Sequence, residues 1–371
     1  MLLRSAILTL ASLLPLAAAA PTNTSRTQTA GCIQNTNKFC PVFEDNFDFL
    51  DTKVWKHEVT MSGGGNWEFE MYVNNRTNSY VKNGALYLQP TLTADNIGAD
   101  KVRAGYTMDL NGNEDLIHCT DPSFYGCSRT SDGTNIINPI TSARIQTAKS
   151  FSLQFGKVEI RAQLPGGDWL WPALWLLPTD GQYGMWPASG EIDIMESRGN
   201  APTAGPIKGS DFMGSTLHWG PSYDLNRFPL THKEFALPGG KSFADDFHTF
   251  GLEWTPDGIK TSVDGQIVLN VPFDKSFWDR GAFPAGVNNP WASPGSCAVA
   301  APFDQPFHIV MNVAVGGTGE YFPDSMPGKP WSNNSPHAAL DFWNARDQWY
   351  PSWKGDKTAM KIDYVKAWKM C

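Results

Sequence analysis

Gly190-Glu191-Ile192-Asp193-Ile194-Met195-Glu196 sets three carboxylates in an otherwise apolar run. Acids this dense repel one another and lose hydration when buried, so few backbone conformations accommodate them. In a helix, at about 100° per residue, Glu191 and Asp193 would diverge by ~200°. In a strand they share one face, while Ile192 and Ile194 point to the other. Strict alternation then sends Glu196 to the wrong side. One extra residue, a β-bulge at Met195, returns Glu196 to the acidic face. Four strand steps hold the two glutamate backbones roughly 13 Å apart, and inward-leaning side chains narrow that gap further.

An ordinary half-buried strand can also carry acids on its wet face, so the flanks decide the reading. Trp171-Pro172-Ala173-Leu174-Trp175 and Trp186-Pro187-Ala188-Ser189-Gly190 precede the acids; Ser197-Arg198-Gly199 and His218-Trp219-Gly220 follow. Flat rings beside paired acids suit a sugar, whose C–H faces stack while its hydroxyls seek hydrogen bonds. Closing the two glutamates to ~5–5.5 Å would match a retaining glycosidase.

The formal charge is −8 and only 18% of residues are charged, without strong Lys/Arg clusters. This disfavours nucleic acid and anionic membrane as partners. Fifteen tryptophans favour a neutral, ring-stacking ligand. Residues 1–20 read as a secretory signal: Arg4, an apolar stretch from Ala6 to Leu16, then four alanines. An extracellular monomer is expected. Six cysteines fit an oxidising compartment. Local spacing suggests Cys32–Cys40 and Cys119–Cys127, leaving Cys297 and Cys371, although many connectivities are open. Asn23, Asn75 and Asn333 head N-glycosylation acceptors.

Hairpin signals recur at Asn83-Gly84, Asp257-Gly258 and Asp264-Gly265, each between short apolar runs. Alternation fits strands over 157–162, 308–315 and 361–368, and long amphipathic helices are scarce. The expected fold is all-β, an antiparallel β-sandwich with an open concave substrate cleft. Gly/Pro/Asn-rich stretches at 95–140, 198–242, 279–306 and 316–356 read as loops shaping that cleft. Residues 21–40 read as an N-terminal arm and 41–371 as one catalytic domain.

With these motifs in hand, the chain resembles glycoside hydrolase family 16, in particular the laminarinase-type endo-β-1,3-glucanases. The resemblance rests on the acidic heptapeptide with its extra methionine, both Trp-Pro-Ala segments and His218-Trp219. Phe247-His248-Thr249-Phe250-Gly251-Leu252-Glu253-Trp254, Asn312-Val313-Ala314-Val315-Gly316-Gly317 and Ile362-Asp363-Tyr364-Val365 extend it across roughly 41–371. It implies a jelly roll. It also implies Glu191 as nucleophile, Glu196 as general acid and base, and Asp193 between them spreading their proton affinities.

Trp186, Trp175 and Trp171 are candidate stacking rings, with His218 and Arg76 as further substrate contacts; a glycan on Asn75 would crowd Arg76. Trp331 and Trp343 either form a cleft wall or pack. Glu253 reads as structural. No cofactor is required. Relatives often hold a structural calcium, for which Asp363 and the Gly84 carbonyl are the matching positions, with Asn46 where an acid is usual. The bulge separates this chain from family branches lacking the insertion, and the absence of a basic cluster disfavours sulfated galactans. β-1,3-Glucan therefore leads, with β-1,3-1,4-glucan also open. The alternatives are a transglycosylase or agarase of the same fold, or a non-catalytic recognition protein. The segment Cys119–Cys127, Ser142-Ala143-Arg144 and Gly167-Asp168-Trp169-Leu170-Trp171-Pro172 is also similar to invertebrate β-glucan recognition proteins, which have lost the catalytic glutamates.

Overall fold

The computed structural model describes residues 35–111, 118–203, 208–292 and 299–371. The signal at 1–20, Asn23, Cys32 and Cys297 lie outside the described residues, as does most of the arm at 21–40.

Two antiparallel sheets form the frame. The first runs in the order Gln266–Pro272, Gly258–Val263, His248–Thr255, Gly156–Gln163, Met360–Met370, Ala85–Leu88, Ser79–Lys82, with Phe39–Asp45 also paired to Met360–Met370. The second runs His232–Ala236, Phe212–His218, Glu191–Ser197, Leu170–Pro178, Phe307–Val315, Arg144–Gln146, Lys56–His57. Along Gly156–Gln163, Val158, Ile160 and Ala162 are buried, while Lys157, Glu159 and Arg161 face outward. That period of two is what a sheet with one covered face requires. The inner residues join Ile192, Leu174 and Val313 of the second sheet in one hydrophobic cluster, so the two sheets form an antiparallel sandwich as expected.

In the meander at 248–272 one of the two expected turns follows its turn chemistry, and the other is corrected: Thr255 pairs with Gly258, so the two-residue loop is Pro256-Asp257 and Gly258 opens the next strand. Asp264 and Gly265 take φ of 50° and 79°, and Asn83 and Gly84 take 53° and 72°, the left-handed pairs that a two-residue hairpin needs. The 95–140 stretch is more than a loop. It contains short helices Ala94–Ile97 and Ala99–Arg103 and a hairpin of Ala104–Asp109 with Ser128–Asp132. Its strands, Ala-Gly-Tyr-Thr-Met-Asp and Ser-Arg-Thr-Ser-Asp, lack the apolar face that betrays a strand. Phe212–His218 escaped for a similar reason, since Gly214, Ser215 and Thr216 interrupt its apolar pattern.

Two disulfide expectations are corrected. Cys40 is bonded to Cys371, not to Cys32, and Cys371 is therefore unavailable to Cys297; Cys119–Cys127 is as expected. Local spacing misled because Phe39–Asp45 pairs with the last strand, placing Phe39 opposite Met370 and Cys40 opposite Lys369. Phe39 and Cys40, assigned to the arm, thus already belong to the sandwich. Asp363 accepts a hydrogen bond from Arg161 at 2.6 Å, and a carboxylate neutralised this way is a weakened calcium ligand. Asn46 donates to Glu44.

Cys40–Cys371 closes a span of 331 residues, the type of link that most restricts the unfolded chain. The double variant Cys40→Ser/Cys371→Ser is expected to lose ~2–5 kcal/mol, read as a lower melting temperature with unchanged far-UV dichroism. A melting temperature equal to the parent's would show that strand pairing alone holds the two ends.

Candidate active site

Gly190 opens the acidic strand at φ +83°, where a Cβ would lie 3.0 Å from the Phe303 ring, so the turn into the strand needs glycine. Beyond it, Glu191 pairs with His218, Asp193 with Thr216 and Glu196 with Gly214. The partners fall on every second residue of the neighbouring strand, whereas the acids span five positions with one residue too many. The same surplus appears against Leu170–Pro178, where Leu174 faces Met195 and Trp175 faces Asp193, leaving Ile194 unpaired. The bulge therefore lies at Ile194–Met195 rather than on Met195 alone. Both apolar residues of the bulge are fully buried, and the three acids return to one face.

Each glutamate is held by an indole N–H. Trp186 donates to Glu191 at 2.8 Å and Trp171 donates to Glu196 at 2.9 Å. Trp171 is buried and lies flat on Tyr321, with ring centres 3.8 Å apart and planes within 2°. Arg198 covers Tyr321 at 4.4 Å and donates twice to its carbonyl. Trp171 is thus a support for the acid more than an open stacking ring. Trp186, 39% exposed, can both hold Glu191 and present a ring face.

Trp175 is half-buried, donates to Asn312 at 2.7 Å, and carries the Arg144 guanidinium at 4.5 Å from its ring centre. Asn312 in turn donates to the Tyr72 hydroxyl, and Arg144 pairs with Glu58 at 3.1 Å. His218 faces Asp193 at 3.4 Å and Glu191 at 3.8 Å. The Asn226 amide oxygen accepts from the Trp219 and Phe228 backbones, which turns its NH2 onto His218 Nδ1. The proton of a neutral His218 then sits on Nε2, directed at the acids.

Arg76 stands apart. It contacts His57 and Asn74 beside the edge strand Lys56–His57, four strands from the acids and hence roughly 19 Å across the sheet. Asn75 is exposed, whereas Asn333 donates to the Phe322 carbonyl and accepts from Lys329, so the nitrogen that would carry a glycan is engaged. Trp331 and Trp343 are buried and pack. Glu253 pairs with Lys157 and Lys260, in line with its structural reading.

Burial dominates the electrostatics. It raises Glu191 to about 7, against the pull of the Trp186 N–H, the Arg144 charge and a hydrogen bond from Asp193. Asp193 is pushed well above its ordinary value, by burial first and then by the charges of Glu191 and Glu196. Burial also raises Glu196, with His218 and Trp171 opposing. The same burial lowers His218 to about 4, leaving a neutral imidazole near pH 7. A proton retained by Asp193 and shared with Glu191 lets Glu191 hold the anion first, while Glu196 remains a candidate acid. Glu191, Asp193 and His218 also place donor atoms within 4.8 Å of one another. Asn226 keeps the His218 Nε2 protonated, however, and a protonated nitrogen offers no lone pair to a cation.

The arrangement has known counterparts. Residues 97–291 match Glycosyl hydrolases family 16. The chain belongs to that family. It is 52% identical over 340 residues to a β-1,3-glucan-binding protein of Penaeus monodon, covering 89% of this chain and 90% of the relative. It is 33% identical to β-1,3-glucan-binding protein 1 of Galleria mellonella over 89% of this chain but only 64% of the relative, so it spans less than two thirds of that protein. Among solved structures, the catalytic domain of an endo-1,3-β-glucanase (laminarinase) from Thermotoga petrophila superposes with a TM-score of 0.56 at 25% identity, covering 90% of this chain and 98% of that one. The sandwich is the family-16 jelly roll expected from the motifs.

Sequence reading missed Asn226, Tyr321 and the role of Asn312. Asn312 carried a signal, a lone amide in the apolar central strand Phe307–Val315. Tyr321 and Asn226 lie in loops and carried none.

The raised Glu191 sets a sign for stability against pH. A folded-state value above the unfolded 4.5 means that the folded chain holds the proton longer. The stabilisation is complete below 4.5 and is lost as pH rises through about 7. Glu191→Gln is therefore expected to remove roughly 2–4 kcal/mol of destabilisation between pH 5 and pH 8. Urea melts at both pH values check this, and a variant that loses as much stability as the parent contradicts it.

Proposed function

We propose that this chain is a secreted, retaining endo-glycosidase acting on β-1,3-glucan, with mixed-linkage β-1,3-1,4-glucan as a second substrate. The observation that carries the reading is the pairing of Glu191, Asp193 and Glu196 with alternate residues of one neighbouring strand, which keeps a complete set of acids on one face. A merely adhesive surface has no use for three mutually repelling buried carboxyls.

Glu191 attacks the anomeric carbon as Glu196 donates its proton to the glycosidic oxygen, so the C–O bond breaks and a glycosyl-enzyme forms. Glu196, now a carboxylate, takes a proton from water, whose oxygen displaces Glu191 and returns both groups to their starting state. Asp193 holds the proton that steadies the Glu191 anion before attack. Trp186 offers the ring beside the nucleophile. The acidic chain and the aromatic site suit a neutral glucan, the polymer also named in the relatives from Penaeus monodon and Galleria mellonella.

Those names also support a second reading, recognition of β-1,3-glucan without turnover. A reducing-sugar assay with product chromatography on laminarin, barley glucan, lichenan and agarose separates the two. Laminarin is expected to yield oligosaccharides. Glu191→Gln and Glu196→Gln should each lower turnover by about 10³-fold or more, and Asp193→Asn by less, with melting curves showing folded protein. Binding of laminarin by the wild-type chain without product selects recognition, and turnover of agarose alone overturns the substrate.

A further inference from the structure

The acids and their indoles account for the middle of the second sheet and leave another aromatic group without a role. Trp67, Phe124 and Tyr125 are 55%, 54% and 80% exposed. Single exposed rings need no explanation, but Trp67 and Phe124 meet at 4.9 Å between ring centres, and Tyr125 follows directly in the chain. All three hold left-handed backbone, with φ of 52°, 51° and 63°. Such strain, on the order of 1–3 kcal/mol at a bulky residue, persists only where the surroundings impose it.

The surroundings do so. Cys119–Cys127 closes the loop that carries Phe124 and Tyr125. Arg129 donates to the Phe124 carbonyl at 3.0 Å and to the Met61 carbonyl at 2.9 Å, binding that loop to the segment leading into Trp67. A Cβ on Gly126 would fall 2.2 Å from the loop's own Asp121 carbonyl and 2.4 Å from Thr60 Oγ1, and the Met61 N–H donates to the Gly126 carbonyl at 2.8 Å, so the loop is seated directly on the segment at 60–61. These contacts hold the rings out in place.

The three rings border a cavity of about 800 Å³ that is also lined by Ser62, Thr130, Asn135 and Thr318. Phe124 lines a second cavity of about 350 Å³ that reaches Arg144. Arg144 is the residue that covers Trp175, and its strand lies three positions from the acidic strand, roughly 14 Å across the sheet. Arg144 thus links the wall that Phe124 lines to Trp175, which lies opposite Asp193 on the neighbouring strand.

We propose that Trp67, Phe124 and Tyr125 form a distal platform for the same β-1,3-glucan chain that the acids engage. The platform rests on the functional reading above and deepens it: the protein selects long chains over short ones. Rings with hydroxyl and amide neighbours suit neutral pyranose units. The guanidiniums lining the two cavities are committed, Arg129 to carbonyls and to the Asn138 amide oxygen, and Arg144 to Glu58, while Glu68 and Asp121 line the same walls and offer an anionic glycan no partner.

The test uses the full chain carrying Glu191→Gln, so that binding is read without turnover. Laminaritriose and long-chain laminarin are titrated by calorimetry against this parent and against the same chain with Trp67→Ala/Tyr125→Ala. The double substitution is expected to weaken laminarin binding about tenfold, the size of two lost stacking rings, and to leave the trisaccharide at parental affinity. Trp67→Phe/Tyr125→Phe should restore laminarin binding. Undiminished laminarin binding, or equal loss on both ligands, overturns the platform. Should the double variant melt early, Tyr125→Ala alone is scored the same way, with about a threefold loss expected. A parent that binds no β-1,3-glucan overturns platform and functional reading together. A wild-type chain that binds but does not hydrolyse overturns catalysis alone, and the ring comparison still decides the platform.

Discussion

The site depends on one local irregularity. Without the surplus residue at Ile194–Met195, Glu196 would enter the hydrophobic cluster and an apolar side chain would take its place beside Trp171. The bulge resolves two demands made on the same strand. The sandwich needs Ile192, Ile194 and Met195 in its interior, and three carboxyls from the same strand must stay out of that apolar cluster. A two-residue period cannot satisfy both over this sequence, and one kinked step can. Tight packing around both bulged residues fixes where the kink falls, and hence the spacing of the glutamates.

Holding the acids together makes them reluctant to ionise. Burial favours their neutral forms, and each anion disfavours the next. The surroundings answer with directed N–H groups rather than cations: Trp186 for Glu191, Trp171 for Glu196 and His218 toward Asp193. This choice matters for a neutral ligand. In the proposed reaction a lysine at contact distance would quench Glu191, whereas an indole N–H steadies the anion and leaves its charge available to a developing oxocarbenium. Arg144 contributes from a distance, already paired with Glu58.

Much of this was legible in the chain because it is local. The Asn83-Gly84 and Asp264-Gly265 turns, the alternation in Gly156–Gln163 and the misfit of Glu196 are all readable within a few residues. What escaped depends on distant partners. Cys40 meets Cys371 only because the first strand pairs with the last, which no spacing rule reveals. The hairpin of Ala104–Asp109 with Ser128–Asp132 has no apolar face to announce it. Trp171 and Trp175 looked alike in sequence, two rings four apart on one face, yet one is buried flat on Tyr321 and the other lies half-open under Arg144.

Tyr321 shows why the late loop cannot be separated from the acids. Arg198, two residues after Glu196, grips the Tyr321 carbonyl with two hydrogen bonds and lies over its ring. That ring supports Trp171 across its full face, and Trp171 donates to Glu196. The chain of contacts thus begins and ends on the acidic strand, passing through a loop more than a hundred residues away in sequence. Flat stacking restricts the indole to one tilt, and a fixed tilt sets the direction of its N–H. Phe322, edge-on to Trp171 and Tyr321, and the buried Trp331 behind it prevent the loop from relaxing. Aromatic packing that looks merely structural at Trp331 is therefore linked, through Phe322, Tyr321 and Trp171, to the indole N–H that Glu196 accepts.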